Sequence, residues 1–152
     1  MRNQYGKPSF KNKEHIKFNI SHCNGLIACA VGLEEMGVDV ENIRSFDDYV
    51  VIRVCNMKEI NDIYSSHDSK RTFFTYWTMK ESLGKALGVG LHYPLRENEF
   101  IKNGDRYLCN YEGLKIKNYE IDNKFSLSIC TDKNQEIILK EVNLNGREFY
   151  RI

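Results

Sequence analysis

Residues 74–91 read FTYWTMKESLGKALGVGL, a segment that predicts a long helix with two different faces. At about 100° per residue, one side is apolar and suited to packing, while the other carries an acid and an amine one turn apart. A helix that only packs rarely needs both charges on one stripe, so we expect chemistry on that second face. Its members are Phe74, Trp77, Thr78, Glu81, Gly84, Lys85 and Gly88.

Two glycines, Gly84 and Gly88, lie on this second face. Because they have no side chain, another group can approach the helix backbone there. The sequence Gly88-Val89-Gly90 suits a left-handed helix stop.

A second acidic pair lies upstream, in residues 37–41, GVDVE, whose alternating β-branched residues predict a strand. Because strand side chains alternate between faces, Asp39 and Glu41 share one face, about 7 Å apart, and Val38 and Val40 point to the core. If Glu81 converges on this pair, three carboxylates meet. Such a set suits a hard cation such as Mg²⁺, and Mn²⁺ would fit the same oxygens.

These segments resemble the two signature motifs of the Sfp-type 4′-phosphopantetheinyl transferases. The motifs are a G-[IV]-D-[IV]-E strand and a W-x-x-K-E-S-x-x-K-x-x-G-x-G-L helix, which stand here at residues 37–41 and 77–91. Upstream, Gly6-Lys7-Pro8 and residues 18–22, FNISH, resemble the family's segment that contacts phosphate and adenine. Each motif is weak alone, but the three in this order are a strong signal.

The resemblance implies a Mg²⁺-dependent transfer of the phosphopantetheine arm of coenzyme A to a serine of an acyl, peptidyl or aryl carrier protein, with release of 3′,5′-ADP. It implies that Asp39, Glu41 and Glu81 hold the metal and that Lys85 reaches the phosphate. Phosphoryl transfer needs mainly positioning and charge stabilisation from a protein, which suits these residue types.

The resemblance also implies contacts to coenzyme A and a group that accepts the serine proton. For that acceptor, Glu41, Glu81 and a metal-bound water remain open. Glu59 is a further possibility, because it matches a helix glutamate to which the family's base role has been given. The implied coenzyme A contacts are Gly6, Lys7, Pro8, Ser21, His22, Lys80 and Lys85.

Other interpretations compete with this one. Glu81 and Lys85 could be an exposed i, i+4 pair worth about 0.3 to 0.5 kcal/mol, and Asp39 and Glu41 could be the solvated face of a half-buried strand. At the level of function, the alternative is a non-catalytic module, a degenerate half-enzyme or subunit that binds coenzyme A or a carrier protein. A pyrophosphate hydrolase is disfavoured because the glutamate-rich helix motif of the common hydrolases is missing.

Composition limits the classes that remain. A net charge of +1, with 28% charged residues, gives no basic field for nucleic acid. The sequence has no run of 18 apolar residues, so it predicts no membrane span. It also has no apolar stretch after Met1, so it predicts no secretory signal. The five cysteines are odd in number and lack C-x-x-C spacing, which argues against zinc and a disulfide framework and favours the cytoplasm.

The hydrophobic patterns predict an α+β fold in which an antiparallel sheet packs against one long helix, as one domain over residues 1–152. Residues 21–25 should form a turn, and Ser69 should cap the long helix. The predicted helices are residues 47–55, 57–65 and 69–87; the predicted strands are residues 16–20, 26–33, 36–41, 97–102, 106–111, 114–121, 124–130 and 136–142.

Length is the main departure from the family pattern. Sfp-type enzymes usually have two similar halves, with the site in the cleft between them, and this chain begins near the end of the first half. We therefore expect it to form a homo-oligomer or to bind a partner chain, which would bury the apolar surface that the first half would have covered.

Overall fold

The computed structural model describes residues 7–13, 15–89, 94–103, 106–109, 111–142 and 149–151. Its helices are α1 (Asp48–Val54), α2 (Met57–Ser65) and α3 (Ser69–Leu87), and a single 3-10 turn lies at Leu95–Glu97. Its strands are β1 (Lys17–Cys23), β2 (Leu26–Gly32), β3 (Met36–Asn42), β4 (Phe100–Asn103), β5 (Arg106–Cys109), β6 (Leu114–Ile121), β7 (Phe125–Asp132), β8 (Lys140–Val142) and β9 (Phe149–Arg151).

An antiparallel sheet in the order β3-β7-β6 lies against α3, which confirms the predicted α+β class. The other strands form three antiparallel pairs, β1 with β2, β4 with β5 and β8 with β9. One apolar cluster joins the three helices to β4, β6 and β7, and a smaller one joins β2, β3 and β7. As predicted, Val38 and Val40 are core residues, each 1% exposed.

The ends of α3 have clear local causes. The helix begins after Asp68, whose carboxylate accepts a hydrogen bond from the backbone N–H of Arg71 at 3.0 Å, so the prediction of Ser69 as the cap is wrong by one residue. It ends at Gly88, which has a left-handed φ of 73° and was expected there. Gly90 lies outside the described residues.

Part of the second face of α3 packs against the sheet, while Trp77, Glu81 and Lys85 on the same face stay half-buried. Phe74 is 3% exposed and Thr78 is fully buried. The Thr78 hydroxyl lies 3.0 Å from the hydroxyl of Ser126 and 2.8 Å from that of Ser128, both on β7. The Asn118 amide donates hydrogen bonds to both serines, so a small polar layer fixes α3 on the sheet.

The group that approaches the backbone of α3 is β3, at Gly37. A Cβ at this position would lie 2.0 Å from the Ser82 carbonyl oxygen, 2.4 Å from the Ala86 nitrogen and 2.9 Å from the Lys85 Cβ. Two of these three atoms are backbone and cannot move away cheaply. The glycine that opens the GVDVE segment therefore sets the distance at which β3 meets the helix.

We expect Gly37→Ala to lower the free energy of unfolding by about 1 to 3 kcal/mol or more, because strand and helix must separate to admit the methyl group. Denaturant unfolding measures this change. Gly32→Ala is the matched control: its Cβ would meet only the flexible end of Met36, at 2.6 Å from Cε. A smaller loss in Gly37→Ala than in Gly32→Ala would contradict the backbone clash.

Several predicted boundaries are wrong. β1 continues through Ser21 to Cys23, because these residues pair with Leu26 to Ala28 of β2, and the turn shrinks to Asn24 and Gly25, where Gly25 has a φ of 96°. The strand predicted at residues 97–102 is instead the end of the 3-10 turn followed by β4. Of the strand predicted at 136–142, only β8 forms, and β9 was not predicted.

Candidate active site

Side chains of β1 bind the backbone of β3, and these contacts take the place of backbone-to-backbone hydrogen bonds between the two strands. Asn19 and Ser21 lie on the same face of β1, two residues apart. The Asn19 side-chain oxygen accepts the backbone N–H of Val38 at 2.8 Å, and the Ser21 hydroxyl accepts that of Val40 at 3.3 Å. The N-x-S part of the FNISH segment therefore serves to dock β1 along β3.

Asp39 lies where β1, β3 and α3 meet. Its Oδ1 accepts a hydrogen bond from the Ser21 hydroxyl at 2.9 Å and from the Lys85 ammonium at 2.7 Å. Lys85 also donates to the Ser21 hydroxyl at 3.0 Å and to the Val38 carbonyl at 3.1 Å. Burial raises the pKa of Asp39, and the Lys85 charge and the two hydrogen bonds oppose that rise. Asp39, Lys85 and Ser21 thus form a connected cluster.

Glu81 lies on α3 one turn before Lys85, and its carboxyl group feels the charges of Asp39 and Glu41. Burial, together with the nearby charges of Asp39 and Glu41, raises the pKa of Glu81 to about 7, although Lys85 opposes this. A carboxyl group with such a pKa is held near other negative charge and is short of hydrogen-bond donors. The approach of Glu81 to Asp39 and Glu41 close enough to share one cation stays a prediction.

Two carboxylate oxygens of the predicted metal ligands are buried without a hydrogen-bond partner, Oδ2 of Asp39 in this cluster and Oε1 of Glu81. A buried acceptor without a partner lowers the stability of the fold, and a bound cation would supply the missing partner. Oxygen donors of this type suit Mg²⁺. By this test, the residues present fit a hard divalent cation.

The third predicted ligand, Glu41, faces partly away from this cluster. Its Oε2 accepts a hydrogen bond from Arg44 at 2.9 Å, and the Glu41 side chain is 26% exposed. Within the described residues, no three His, Cys, Asp or Glu side chains come close enough together to form a ready metal site. In this conformation Glu41 is held by Arg44, and Asp39 and Glu81 each keep one buried oxygen without a partner.

The other predicted coenzyme A contacts lie in different places. His22 is exposed and lies on the opposite face of β1 from Ser21, so its side chain does not join the Asp39 cluster. Lys7 and Pro8 line a cavity beside the C-terminal turn of α3. Gly6 lies outside the described residues.

Glu59 and Lys80 form an ion pair in the core. Their charged atoms lie 2.9 Å apart, and each side chain is only 1% exposed. The Lys80 ammonium also donates to the carbonyls of Leu95, at 2.7 Å, and Asn98, at 3.1 Å. Glu59 accepts the backbone N–H of Asn56 in a capping box that begins α2. In this arrangement neither group faces the Asp39 cluster, and the pair joins α2 to α3.

Sequence reasoning missed three contributors around the site. Asn19 was passed over, although its spacing of two from Ser21 was a usable signal. Arg44, three residues after Glu41, holds that carboxylate, and no pattern marked it. Glu35 pairs with Lys7 and with Lys17, contacts between residues too far apart in sequence for local patterns to reveal.

Comparison with known proteins identifies the family of this chain. The family model described as the 4′-phosphopantetheinyl transferase superfamily matches residues 35–130, which include β3, all of α3 and most of β7. The chain therefore belongs to the 4′-phosphopantetheinyl transferase superfamily.

Curated relatives point the same way. The chain is 30% identical to a 4′-phosphopantetheinyl transferase of Bacillus subtilis over 84% of this chain and 60% of the relative. It is 33% identical to the L-aminoadipate-semialdehyde dehydrogenase-phosphopantetheinyl transferase of Candida glabrata over 95% of this chain and 51% of the relative. The chain thus spans only about half to three fifths of the length of these proteins.

The fold likeness is independent of close sequence identity. The holo-[acyl-carrier-protein] synthase of Thermotoga maritima superposes with a TM-score of 0.55 at 17% identity, over 73% of this chain and 70% of that one. This likeness shows the fold. Among the described residues, no helix is both long and apolar enough to cross a bilayer.

Proposed function

We propose that this protein transfers the 4′-phosphopantetheine arm of coenzyme A to a serine hydroxyl of an apo carrier protein, in a reaction of the holo-acyl-carrier-protein synthase type that depends on Mg²⁺. The observation that carries the proposal is the ion pair of Asp39 and Lys85, together with one unpartnered buried carboxylate oxygen on Asp39 and another on Glu81. Membership of the superfamily supports the same reaction.

In the proposed reaction the serine oxygen attacks the phosphorus that bears the pantetheine arm. A new P–O bond forms, the bond from that phosphorus to the bridging oxygen of the pyrophosphate breaks, and 3′,5′-ADP leaves. The serine proton passes to a base, for which Glu41 and Glu81 are the candidates. Glu59 would need to leave its ion pair with Lys80 to serve as the base. Charge on the phosphate oxygens is the main barrier that a protein can lower.

Each residue of the cluster has a proposed task. Asp39 and Glu81 would hold Mg²⁺ through their unpartnered oxygens, and Glu41 would join them by releasing Arg44. The ion would supply positive charge to the pyrophosphate when bound. Lys85 is held by Ser21 and Asp39 within reach of the same space and would donate to a phosphate oxygen. Lys7 and Pro8 would contact the nucleotide end of coenzyme A from the neighbouring cavity.

The test is incubation of the full chain with coenzyme A, Mg²⁺ and each of several apo carrier proteins of the acyl, peptidyl and aryl types. Intact-mass spectrometry should show addition of one phosphopantetheine arm to the carrier, and an EDTA sample should show none. Coenzyme A binding without modification of any carrier would replace the transferase with a non-catalytic binding module.

We also propose that the 152 residues act as one domain in the cytoplasm and associate with a second copy or a partner chain. The outward face of the β1–β2 pair supports association, because Ile20, Ile27 and Val31 are 48%, 68% and 66% exposed, with Leu33 beside them at 67%. Exposed apolar groups in such a row favour burial against another surface. Sedimentation velocity at micromolar concentration should show more than a monomer, and a fully active strict monomer would refute this.

A further inference from the structure

The cavity beside the C-terminal turn of α3 has a volume of about 420 Å³ and is lined by residues 7–10, the start of β1 and residues 86–88. Phe10 and Phe18 line part of it, with ring centroids 4.5 Å apart. Lys7 and Lys17 bring two positive charges to the same cavity. A space with aromatic walls and two ammonium groups suits a ligand that carries both an aromatic ring and an anion.

A carboxylate of the protein already pairs with both lysines. Oε2 of Glu35 lies 2.6 Å from the Lys7 ammonium, and Oε1 lies 3.1 Å from the Lys17 ammonium. Lys7 also donates to the Ala86 carbonyl at 3.1 Å, which ties it to the end of α3. The two oxygens of Glu35 therefore bridge the two amines in the way that two oxygens of a phosphate group would.

Exposure indicates which of the three side chains can leave. The side chain of Lys7 is 15% exposed and that of Lys17 is 36% exposed, whereas that of Glu35 is 56% exposed. Glu35 thus approaches the lysines from the solvent side and can swing away without disturbing the core. Exposed ion pairs contribute little to stability, so displacing Glu35 is cheap.

The charge state of Glu35 fits this role. Partial burial would raise the pKa of its carboxyl group, but hydrogen bonds and charge from Lys7 and Lys17 hold that pKa below the ordinary value. At neutral pH the group is a carboxylate with one negative charge. A phosphate monoester carries close to two charges and three strong acceptor oxygens, so it competes well for the same pair of lysines.

We propose that Glu35 is a displaceable carboxylate that occupies the phosphate position between Lys7 and Lys17, next to the nucleotide contact proposed above for Lys7, and that it sets the affinity of this position for phosphate. The inference rests on the proposed function only in taking coenzyme A as the source of the phosphate group. Free phosphate has the same chemistry, and the experiment separates the two sources. Glu35 is therefore an affinity-determining residue outside the Asp39 cluster.

The test measures binding by isothermal titration calorimetry to the wild-type chain, Glu35→Gln and Glu34→Gln. The probes are coenzyme A, inorganic phosphate and pantetheine, which has no phosphate. We expect Glu35→Gln to bind coenzyme A about fivefold more tightly, the size expected from losing two exposed ion pairs. Glu34→Gln removes the same charge from the neighbouring exposed residue, and its affinity should stay within about twofold of wild type.

Each outcome decides the proposal. A gain for coenzyme A and phosphate, with none for pantetheine, supports a subsite filled by the coenzyme, and a gain for phosphate alone supports a free-anion subsite. No gain beyond that of Glu34→Gln, or an equal gain for pantetheine, overturns the proposal. Adding Lys17→Met to Glu35→Gln should remove the gain, and persistence of the gain would also overturn it.

This test does not depend on turnover. Tighter coenzyme A binding by Glu35→Gln, in a chain that modifies no carrier protein, would leave the phosphate subsite standing while the proposed transfer fails. Conversely, transfer by a chain whose Glu35→Gln variant binds no more tightly would remove only the role of Glu35.

Discussion

Glu81→Gln should lower the rate of phosphopantetheine transfer at least about 100-fold, which is about 2.7 kcal/mol of transition-state stabilisation, and at the same time should make the chain more stable at pH 8. The loss of rate follows because a neutral amide cannot replace a carboxylate that holds a divalent cation at the pyrophosphate. The gain in stability follows because Glu81 lies among charges of its own sign. Few merely structural glutamates would show both effects.

The direction of the pH effect comes from the raised pKa of Glu81. In the folded chain, burial and the charges of Asp39 and Glu41 move this pKa to about 7 from an ordinary value of 4.5. The folded state therefore binds the proton more tightly than the unfolded state. The stability that Glu81 provides is complete below about pH 4.5 and is lost as the pH rises through about 7.

Thermal unfolding in the presence of a chelator measures this effect. At pH 8 the midpoint of Glu81→Gln should exceed that of wild type by about 2 to 4 °C, the shift for about 1 kcal/mol in a chain of this length, and near pH 4 the two should agree. Added Mg²⁺ should raise the wild-type midpoint but not that of the variant. Glu136→Gln, a change at an exposed residue, serves as the control for charge alone.

A Glu81→Gln variant that keeps full transfer activity would remove Glu81 from the reaction. A variant less stable than wild type at pH 8, in the chelated state, would mean that Glu81 is held by favourable contacts and not by like charges. Either result would break the link between the unpartnered Oε1 of Glu81 and a cation.

The sequence was a sufficient guide wherever a local period decided the structure. The alternation in GVDVE predicted the buried Val38 and Val40, and the 3.6-residue period predicted α3 over residues 69–87, although the cap is Asp68 and not Ser69. The sequence was a poor guide where a contact with a residue far away in the chain decided the structure. Thr78 was placed on the face where chemistry was expected, but it is buried and its hydroxyl contacts those of Ser126 and Ser128 on β7. No local pattern contains that pairing.

The candidate site shows the same division. The placement of Asp39 on β3, and of Glu81 and Lys85 one turn apart on α3, could be predicted, because each lies on a regular element whose side-chain direction is fixed by its period. The ion pair of Lys85 with Asp39 was not predicted, because it joins two elements far apart in the sequence. The positions of the His22 and Lys80 side chains could not be predicted. The direction of the His22 side chain depends on whether β1 continues past residue 20, which the pairing of β1 with β2 decides. Lys80 depended on the packing of α2 and residues 94–98 around a buried amine.

Lys80→Met should lower the free energy of unfolding by about 3 to 5 kcal/mol, a large part of the 5 to 15 kcal/mol typical of a whole domain. The substitution leaves the carboxylate of Glu59 buried without its cation, and Oε1 of that carboxylate already lacks a partner. The carbonyls of Leu95 and Asn98 lose their donor as well. Urea unfolding at pH 7 measures the loss.

Lys58→Met is the matched control, because Lys58 also pairs with a glutamate, Glu99, but its side chain is 81% exposed. Its loss should not exceed about 1 kcal/mol. Adding Glu59→Gln to Lys80→Met should recover at least about half of the loss, because the amide is neutral and can still accept the backbone N–H of Asn56. The double variant also keeps the test decisive if Lys80→Met alone does not fold.

The same experiment separates a supporting pair from a catalytic one. If Glu59 and Lys80 only join α2 to α3, the folded double variant should keep the transfer activity of wild type within a few-fold, since Asp39, Glu81 and Lys85 lie on β3 and the other side of α3. Loss of activity in a folded, stable double variant would return Glu59 to the role of base. A loss of stability in Lys80→Met no greater than in Lys58→Met would instead mean that water reaches the pair.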